Sequence, residues 1–152
     1  DLPPGMASTT SDLSMDYLVH WNDGQRISIL SGVYYYYAGA AHPNMNYLTL
    51  NYNLDTGTIL SLDQIFIPDQ DYLTFLHDQA AAELAKRDIG YWEEGLAKDT
   101  NNYKNFTFTQ QGLVLHFDPY QVAAYAAGPQ SVLIPYADLS GWLKVEYLPP
   151  TP

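Results

Sequence analysis

The segment "NYLTLNYNL" (46–54) alternates with a period of two: Tyr47, Thr49, Asn51 and Asn53 fall on one side, Leu48, Leu50, Tyr52 and Leu54 on the other. A helix would scatter these residues around its axis, so the segment must be extended. Asp55-Thr56-Gly57 supplies a tight turn after it, and "TILSL" is expected to run back as a paired strand. The same grammar recurs on both sides. Leu13–Trp21 alternates loosely, Asn22-Asp23-Gly24 gives a turn signal, and Arg26–Tyr37 reads as a long β-branched and aromatic strand. Downstream, "NFTFTQQGLVLHF" is a second hairpin turning at Gln111-Gly112, and "SVLIPY" a further strand.

Between these strand groups the period changes. "YLTFLHDQAAAELAKRDIG" sets Leu73, Leu76, Ala80 and Leu84 on one side of a helix spanning about 71–89. Asp69 or Asp71 is placed to cap it, Lys86 and Arg87 to favour its C-terminal end, and Gly90 to stop it. "ADLSGWL" predicts a short C-terminal helix. Strands, one helix and strands again, without strand–helix alternation, predict an α+β fold. Its antiparallel sheet of hairpin-linked strands carries the main helix on one face. At 152 residues this is one domain with a real core. Proline-rich ends predict a flexible lead over 1–12, which looks trimmed from a longer chain, and a tail over 148–152.

Composition removes several functions. The net charge is −11, and the six basic residues, Arg26, Lys86, Arg87, Lys98, Lys104 and Lys144, form no stripe that could neutralise phosphates. Nucleic acid is therefore excluded as a partner. An acidic surface favours a cationic partner by steering and disfavours an anionic membrane. With no cysteine there is no disulfide, thiolate metal site or cysteine nucleophile. No apolar run reaches the roughly 20 residues that span a bilayer, so no membrane insertion is expected.

Two longer stretches carry a resemblance. "GAAHPNMNYLTLNYNLDTGTILSLDQIF" and, after the helix, "FTFTQQGLVLHFDPYQVAAYAAGPQSVLIPYADLSGWL" resemble the RsiV-like C-terminal domain, bacterial domain-of-unknown-function family 3298. The matching pieces are Gly39–Pro43, Asn53–Gly57, Leu60–Phe66, Gly112–Phe117, Pro119–Gly128 and Ile134–Leu139. Ala124 stands where the family commonly has proline. The resemblance implies an RsiV-like domain over 39–147. It also implies that strands 13–38 come from the end of an upstream companion domain and pack with the rest. It further implies an extracytoplasmic, cell-envelope location and a sensing or binding role. Some members sense lysozyme as anti-sigma factors, and others sit beside polysaccharide deacetylase domains. A non-catalytic binding or sensing domain for a cationic protein such as lysozyme is thus one expectation. An accessory glycan-binding domain of a cell-wall enzyme is the other.

Catalytic chemistry finds little footing. There is no Gly-x-Ser-x-Gly elbow and no phosphate-cradling loop. His20, His42, His77 and His116 are too far apart in sequence for a paired metal motif, so no catalytic residue, metal or cofactor is assigned. Glu93-Glu94 reads as a solvated face, and Asp118 with Asp138 only as a remote carboxylate pair. The aromatic residues carry more. In "YYYY" (34–37), Tyr34 and Tyr36 point one way and Tyr35 and Tyr37 the other, so one pair is expected to pack and the other to face outward with Tyr47. His42, between small residues and Pro43, is either a ligand contact or a pin for a bulge. In "FDPYQVAAYAAGPQ", Tyr120 and Tyr125 would flank a groove with close backbone approach. The candidate ligand-binding residues are Tyr35, Tyr37, His42, Tyr47, Tyr120 and Tyr125.

Overall fold

The computed structural model describes residues 10–149. Most of the expected lead, and residues 150–152 of the expected tail, lie outside the described residues. Among the described residues, seven strands form two antiparallel sheets. The first is a meander of β1 (Asp12–Asn22), β2 (Arg26–Tyr36), β3 (Asn44–Asn53) and β4 (Thr58–Ile59); the second holds β5 (Phe106–Phe108), β6 (Gly112–Phe117) and β7 (Gln130–Pro135). The helices are α1 (Leu62–Ile65), α2 (Tyr72–Leu84) and α3 (Tyr136–Leu139). This is the expected α+β class with one main helix and a short C-terminal one, its strands divided between two sheets.

Each turn has a local cause. At the first hairpin, Asp23 Oδ1 accepts the N–H groups of Gln25 and Arg26 at 2.9 and 2.7 Å, and Oδ2 accepts from Trp21 Nε1 at 2.9 Å and from the Arg26 guanidinium. Partial burial disfavours this carboxylate, but the hydrogen bonds outweigh it and hold the Asp23 carboxyl at about 2. "TILSL" departs from expectation: β4 stops at Ile59, because Gln64 Oε1 accepts the Ser61 N–H at 2.8 Å and starts helix α1. In α2, Asp71 is the cap, accepting from Thr74 N–H and O–H at 3.1 and 2.6 Å.

The main helix ends at Leu84 rather than near residue 89. The Lys86 and Arg87 N–H groups bond back to Glu83 and Leu84, a tighter three-residue closure. Arg87 then reaches Gln130 Oε1 and the Ser131 carbonyl, both at 2.8 Å. It ties the end of α2 to β7 and does not complement the helix dipole from within the last turn.

The apolar core lies between α2 and the three-stranded sheet. Leu76, Ala80 and Leu84 of the helix meet Leu113, Leu115, Phe117, Val132 and Ile134 of β6 and β7, all sealed from solvent. Leu96, Tyr103 and Leu139 close its rim. Each such side chain contributes on the order of 1.5–3 kcal/mol by leaving water. Gly112 is required here, since a Cβ would lie 2.0 Å from the Ile134 carbonyl oxygen.

The seam between the sheets is polar. Ser28 Oγ accepts the Phe108 N–H at 2.9 Å, and Asn51 Nδ2 donates to the Phe106 carbonyl at 2.7 Å, so a buried pair on β2 and β3 satisfies the free edge of β5. The register slips between Val19 and Trp21, which leaves His20 as the extra residue of a bulge. Its Nδ1 reaches Thr107 Oγ1 at 2.9 Å. Among the described residues nothing forms a layer over the other side of the meander: Leu13, Met15, Tyr17, Val19, Leu48 and Leu50 are exposed.

Candidate functional site

Two loops from different sheets meet at one end of the molecule. Residues 37–43 join β2 to β3, and residues 118–129 join β6 to β7. Asp118 fastens them, its Oδ1 accepting the Tyr47 N–H at 2.6 Å and its Oδ2 accepting Asn46 Nδ2 at 3.1 Å. Gln121 anchors the second loop from behind, donating to the Asn102 carbonyl at 2.9 Å. Asp118 is therefore a structural acceptor, and it lies at the opposite end of β6 from Asp138, which follows Pro135, the partner of Gly112.

On this scaffold His42 stacks on Tyr125 with ring centroids 4.0 Å apart, and Tyr120 lies 5.4 Å from Tyr125 and 6.4 Å from His42. The Tyr125 hydroxyl donates to the Pro43 carbonyl at 2.6 Å. His42 Nδ1 meets the same oxygen at 2.9 Å, so Nδ1 carries the proton and Nε2 is left as an acceptor. Nε2 faces the Tyr120 hydroxyl at 3.5 Å, the outer limit of a hydrogen bond. Tyr120 holds a positive φ of 67°. A bulky residue in that region costs on the order of 1 kcal/mol, and such strain collects where a side chain must be aimed. Here it sets a half-exposed ring beside His42. Gly128, at φ 69° and ψ −175°, occupies backbone space open essentially to glycine alone.

Beside the three rings opens a cleft of about 400 Å³, walled by Tyr34, Pro43, Met45, Pro119, Tyr125 and Pro129. No charged residue lines it. A larger cleft of about 520 Å³ lies around Arg26 and Lys144, but Asp55 and Glu146 line it too, so its charges oppose one another. A hollow of about 500 Å³ beside Met15, Tyr17, Ile29, Leu48 and Leu50 is also uncharged but is lined by a single aromatic ring, whereas the aromatic cleft joins an uncharged apolar hollow to a cluster of stacked rings.

The structure brings His42, Tyr120 and Tyr125 together, and these three came from two distant sequence segments. Tyr47 sits behind them, its ring 5.3 Å from that of His116 and its phenol pushed up by burial. Tyr35 and Tyr37 lie elsewhere, packed edge to face at 5.6 Å. The expected division of the tyrosine run into a packed and an outward pair does not hold. Tyr34 and Tyr37 are both exposed and Tyr35 and Tyr36 are half-buried, because neither side of that strand end is fully covered. Sequence reasoning missed Tyr34, which lines the cleft opposite Met45 in the strand register.

It also missed a chain of polar side chains in the seam. Thr107 Oγ1 lies 2.8 Å from His116 Nε2, and His116 Nδ1 lies 2.9 Å from Ser131 Oγ. Burial, with a smaller contribution from neighbouring His20, pulls His116 down to about 4, so it stays neutral near neutrality. A serine beside a histidine is the start of a nucleophilic site. In this case the second ring nitrogen meets a threonine hydroxyl where a triad has a carboxylate, and so buried a ring is a poor base. Among the described residues no group of three or more His, Cys, Asp or Glu could hold a metal ion, and no helix is long and apolar enough to cross a membrane.

A four-stranded meander joined by a polar seam to a helix-backed three-stranded sheet, with an uncharged aromatic cleft at one end, defines an α+β domain of a recognisable family. Residues 63–137 match the family described as "Protein of unknown function (DUF3298)", and the chain belongs to that family. It is 34% identical over 143 residues to the peptidoglycan-N-acetylmuramic acid deacetylase PdaC of Bacillus subtilis, covering 91% of this chain and 30% of that protein. It is 28% identical over 112 residues to the immunogenic protein MPT64 of Mycobacterium tuberculosis, covering 72% of this chain and 49% of that one. A crystal structure of a family member from Bacteroides fragilis superposes with a TM-score of 0.72 at 24% identity, over 89% of this chain and 55% of that one. The chain thus spans half or less of the length of both these sequence relatives.

Proposed function

We propose that this chain is a non-catalytic accessory binding domain of an extracytoplasmic cell-envelope protein, and that it grips cell-wall glycan at the cleft walled by Tyr34 and Tyr125, beside His42 and Tyr120. The observation that carries this reading is a cluster of stacked rings beside a hollow lined by no Asp, Glu, Lys or Arg, on a chain of net charge −11. On so acidic a chain, a hollow lined by no charged residue and flanked by several tyrosines favours a neutral ligand with flat faces, and sugar rings stack on tyrosine. The likeness to PdaC, whose name specifies peptidoglycan, agrees with that ligand class. On this reading strands 13–38 would be the end of a companion unit packed with the rest; they lie outside the matched residues 63–137.

The charge itself favours a second reading, capture of a cationic protein such as lysozyme, as in RsiV-type sensors. Calorimetric titration with soluble peptidoglycan fragments and with lysozyme, each at low and high salt, separates the two. Stacking at a neutral cleft predicts glycan binding that hardly changes with salt and is weakened in Tyr120→Ala. A steered protein partner predicts affinity that falls as salt rises. Heat of binding with lysozyme alone would overturn the glycan reading.

A further inference from the structure

Beside the rings the cleft is built for more than a bare sugar plane. Tyr125, stacked on His42, forms one wall, and Tyr120 stands next to it with about half its surface open. The hollow itself is lined by Tyr34, Met45, Pro119 and Pro129, so a group entering it leaves water for side chains that offer it almost no hydrogen bonds. Hydroxyl and ammonium substituents are poorly served there. A methyl group is well served, and the one amide side chain of the lining, Asn44, suits a neighbouring amide. Asp118, the carboxylate next to Pro119 of the lining, already accepts the Tyr47 N–H and the Asn46 side chain.

We infer that the cleft selects N-acetylated amino sugar: a sugar ring lies against Tyr120 and Tyr125, and its acetamido methyl enters the hollow between Tyr34, Met45 and Pro129. The inference rests on the glycan-binding reading above and names which glycan that site takes. It would give the domain a direction along a glycan strand, holding acetylated stretches and releasing those whose amines have been bared.

Bulk electrostatics oppose this preference, which makes it discriminating. With a net charge of −11 the chain attracts the cationic deacetylated sugar at any unspecific site. The test is calorimetric titration of the full chain with chitotetraose and with its fully deacetylated counterpart at moderate salt. Burial of one methyl group predicts at least about 4-fold tighter binding of the acetylated oligomer. Tyr120→Ala, which removes an exposed ring, should weaken chitotetraose binding by about 10-fold. Ala126→Leu, at an exposed residue on the cleft wall, should narrow the hollow and erase the preference while leaving stacking in place. A folded far-UV spectrum for both variants keeps the comparison fair. Equal binding of the two oligomers, or an acetyl preference that survives Ala126→Leu, would overturn the inference and leave glycan binding standing. Binding of neither oligomer would remove the glycan reading, and the inference with it.

Discussion

The two sheets of this molecule are built from similar strands and are held by different physics. The three-stranded sheet buries one side completely against α2, and Leu113, Leu115, Phe117, Val132 and Ile134 are all sealed. The β1–β2 and β2–β3 hairpins of the meander pair at ten positions each, against three and six in the other sheet, yet β1 is exposed along most of its length, and Leu13, Met15, Tyr17, Leu48 and Leu50 face solvent. What attaches the meander is a line of hydrogen bonds: Ser28 and Asn51 on β5, His20 on Thr107, Asp118 on Asn46 and Tyr47. Apolar burial stabilises one sheet, and satisfied polar groups fix the position of the other. The difference teaches that a strand's hydrophobicity does not say whether it is covered. The candidate cleft sits where the two regimes meet, with one loop from each.

Substitutions sharpen this contrast in a definite order. Leu115→Ala, in the sealed sheet, should destabilise by about 2–5 kcal/mol in chemical denaturation, with the midpoint falling and the cooperative transition retained. A cost below about 1 kcal/mol would mean that this sheet is not the core.

The next effect is one of pH. The His116 ring is held near 4 by burial, below the ordinary histidine value, so the folded state prefers it neutral. Its stabilising contribution is complete above about 6.5 and is lost as pH falls toward 4, because the unfolded chain takes up the proton first in that window. Between those limits the loss should approach about 3 kcal/mol, set by that difference in pKa. His116→Gln should flatten the dependence. An unchanged slope in that variant would assign the acid sensitivity to another group.

Asn51→Ala should cost about 1–3 kcal/mol, since it strands the Phe106 carbonyl and the Ser28 hydroxyl in a buried seam. Combining it with Ser28→Ala should cost less than the sum of the two, and strict additivity would show that the pair does not act as one clasp. The smallest effect belongs to the outer side of the meander. Met15→Ala and Leu48→Thr should shift stability by no more than about 0.5 kcal/mol. A large loss at either position would show that this surface is covered in solution, and sedimentation of the same variants would then reveal by what.

Much of the architecture was legible because it is local. Period-two alternation at 46–54, the turn at Asn22-Asp23-Gly24, the cap at Asp71 and the hairpin at Gln111-Gly112 all follow from residues within a few positions of one another. The helix end was misjudged because Arg87 is drawn to Gln130 and Ser131, more than forty positions away. The short β4 was misjudged because Gln64 closes on Ser61 and helix α1 starts there.

The sequence by itself determined the α+β class, the order of the main strands and the main helix, and the aromaticity of the two loop segments. Only the tertiary structure decided which rings meet. His42 is joined to Tyr120 and Tyr125 across about eighty residues, while the adjacent Tyr35 and Tyr37 are left to one another. The tertiary structure likewise decided that Tyr34, and neither of its outward-counted neighbours, lines the cleft. The physical reason is that alternation fixes which side of a strand a residue occupies. Whether another layer covers that side depends on contacts that no local pattern encodes.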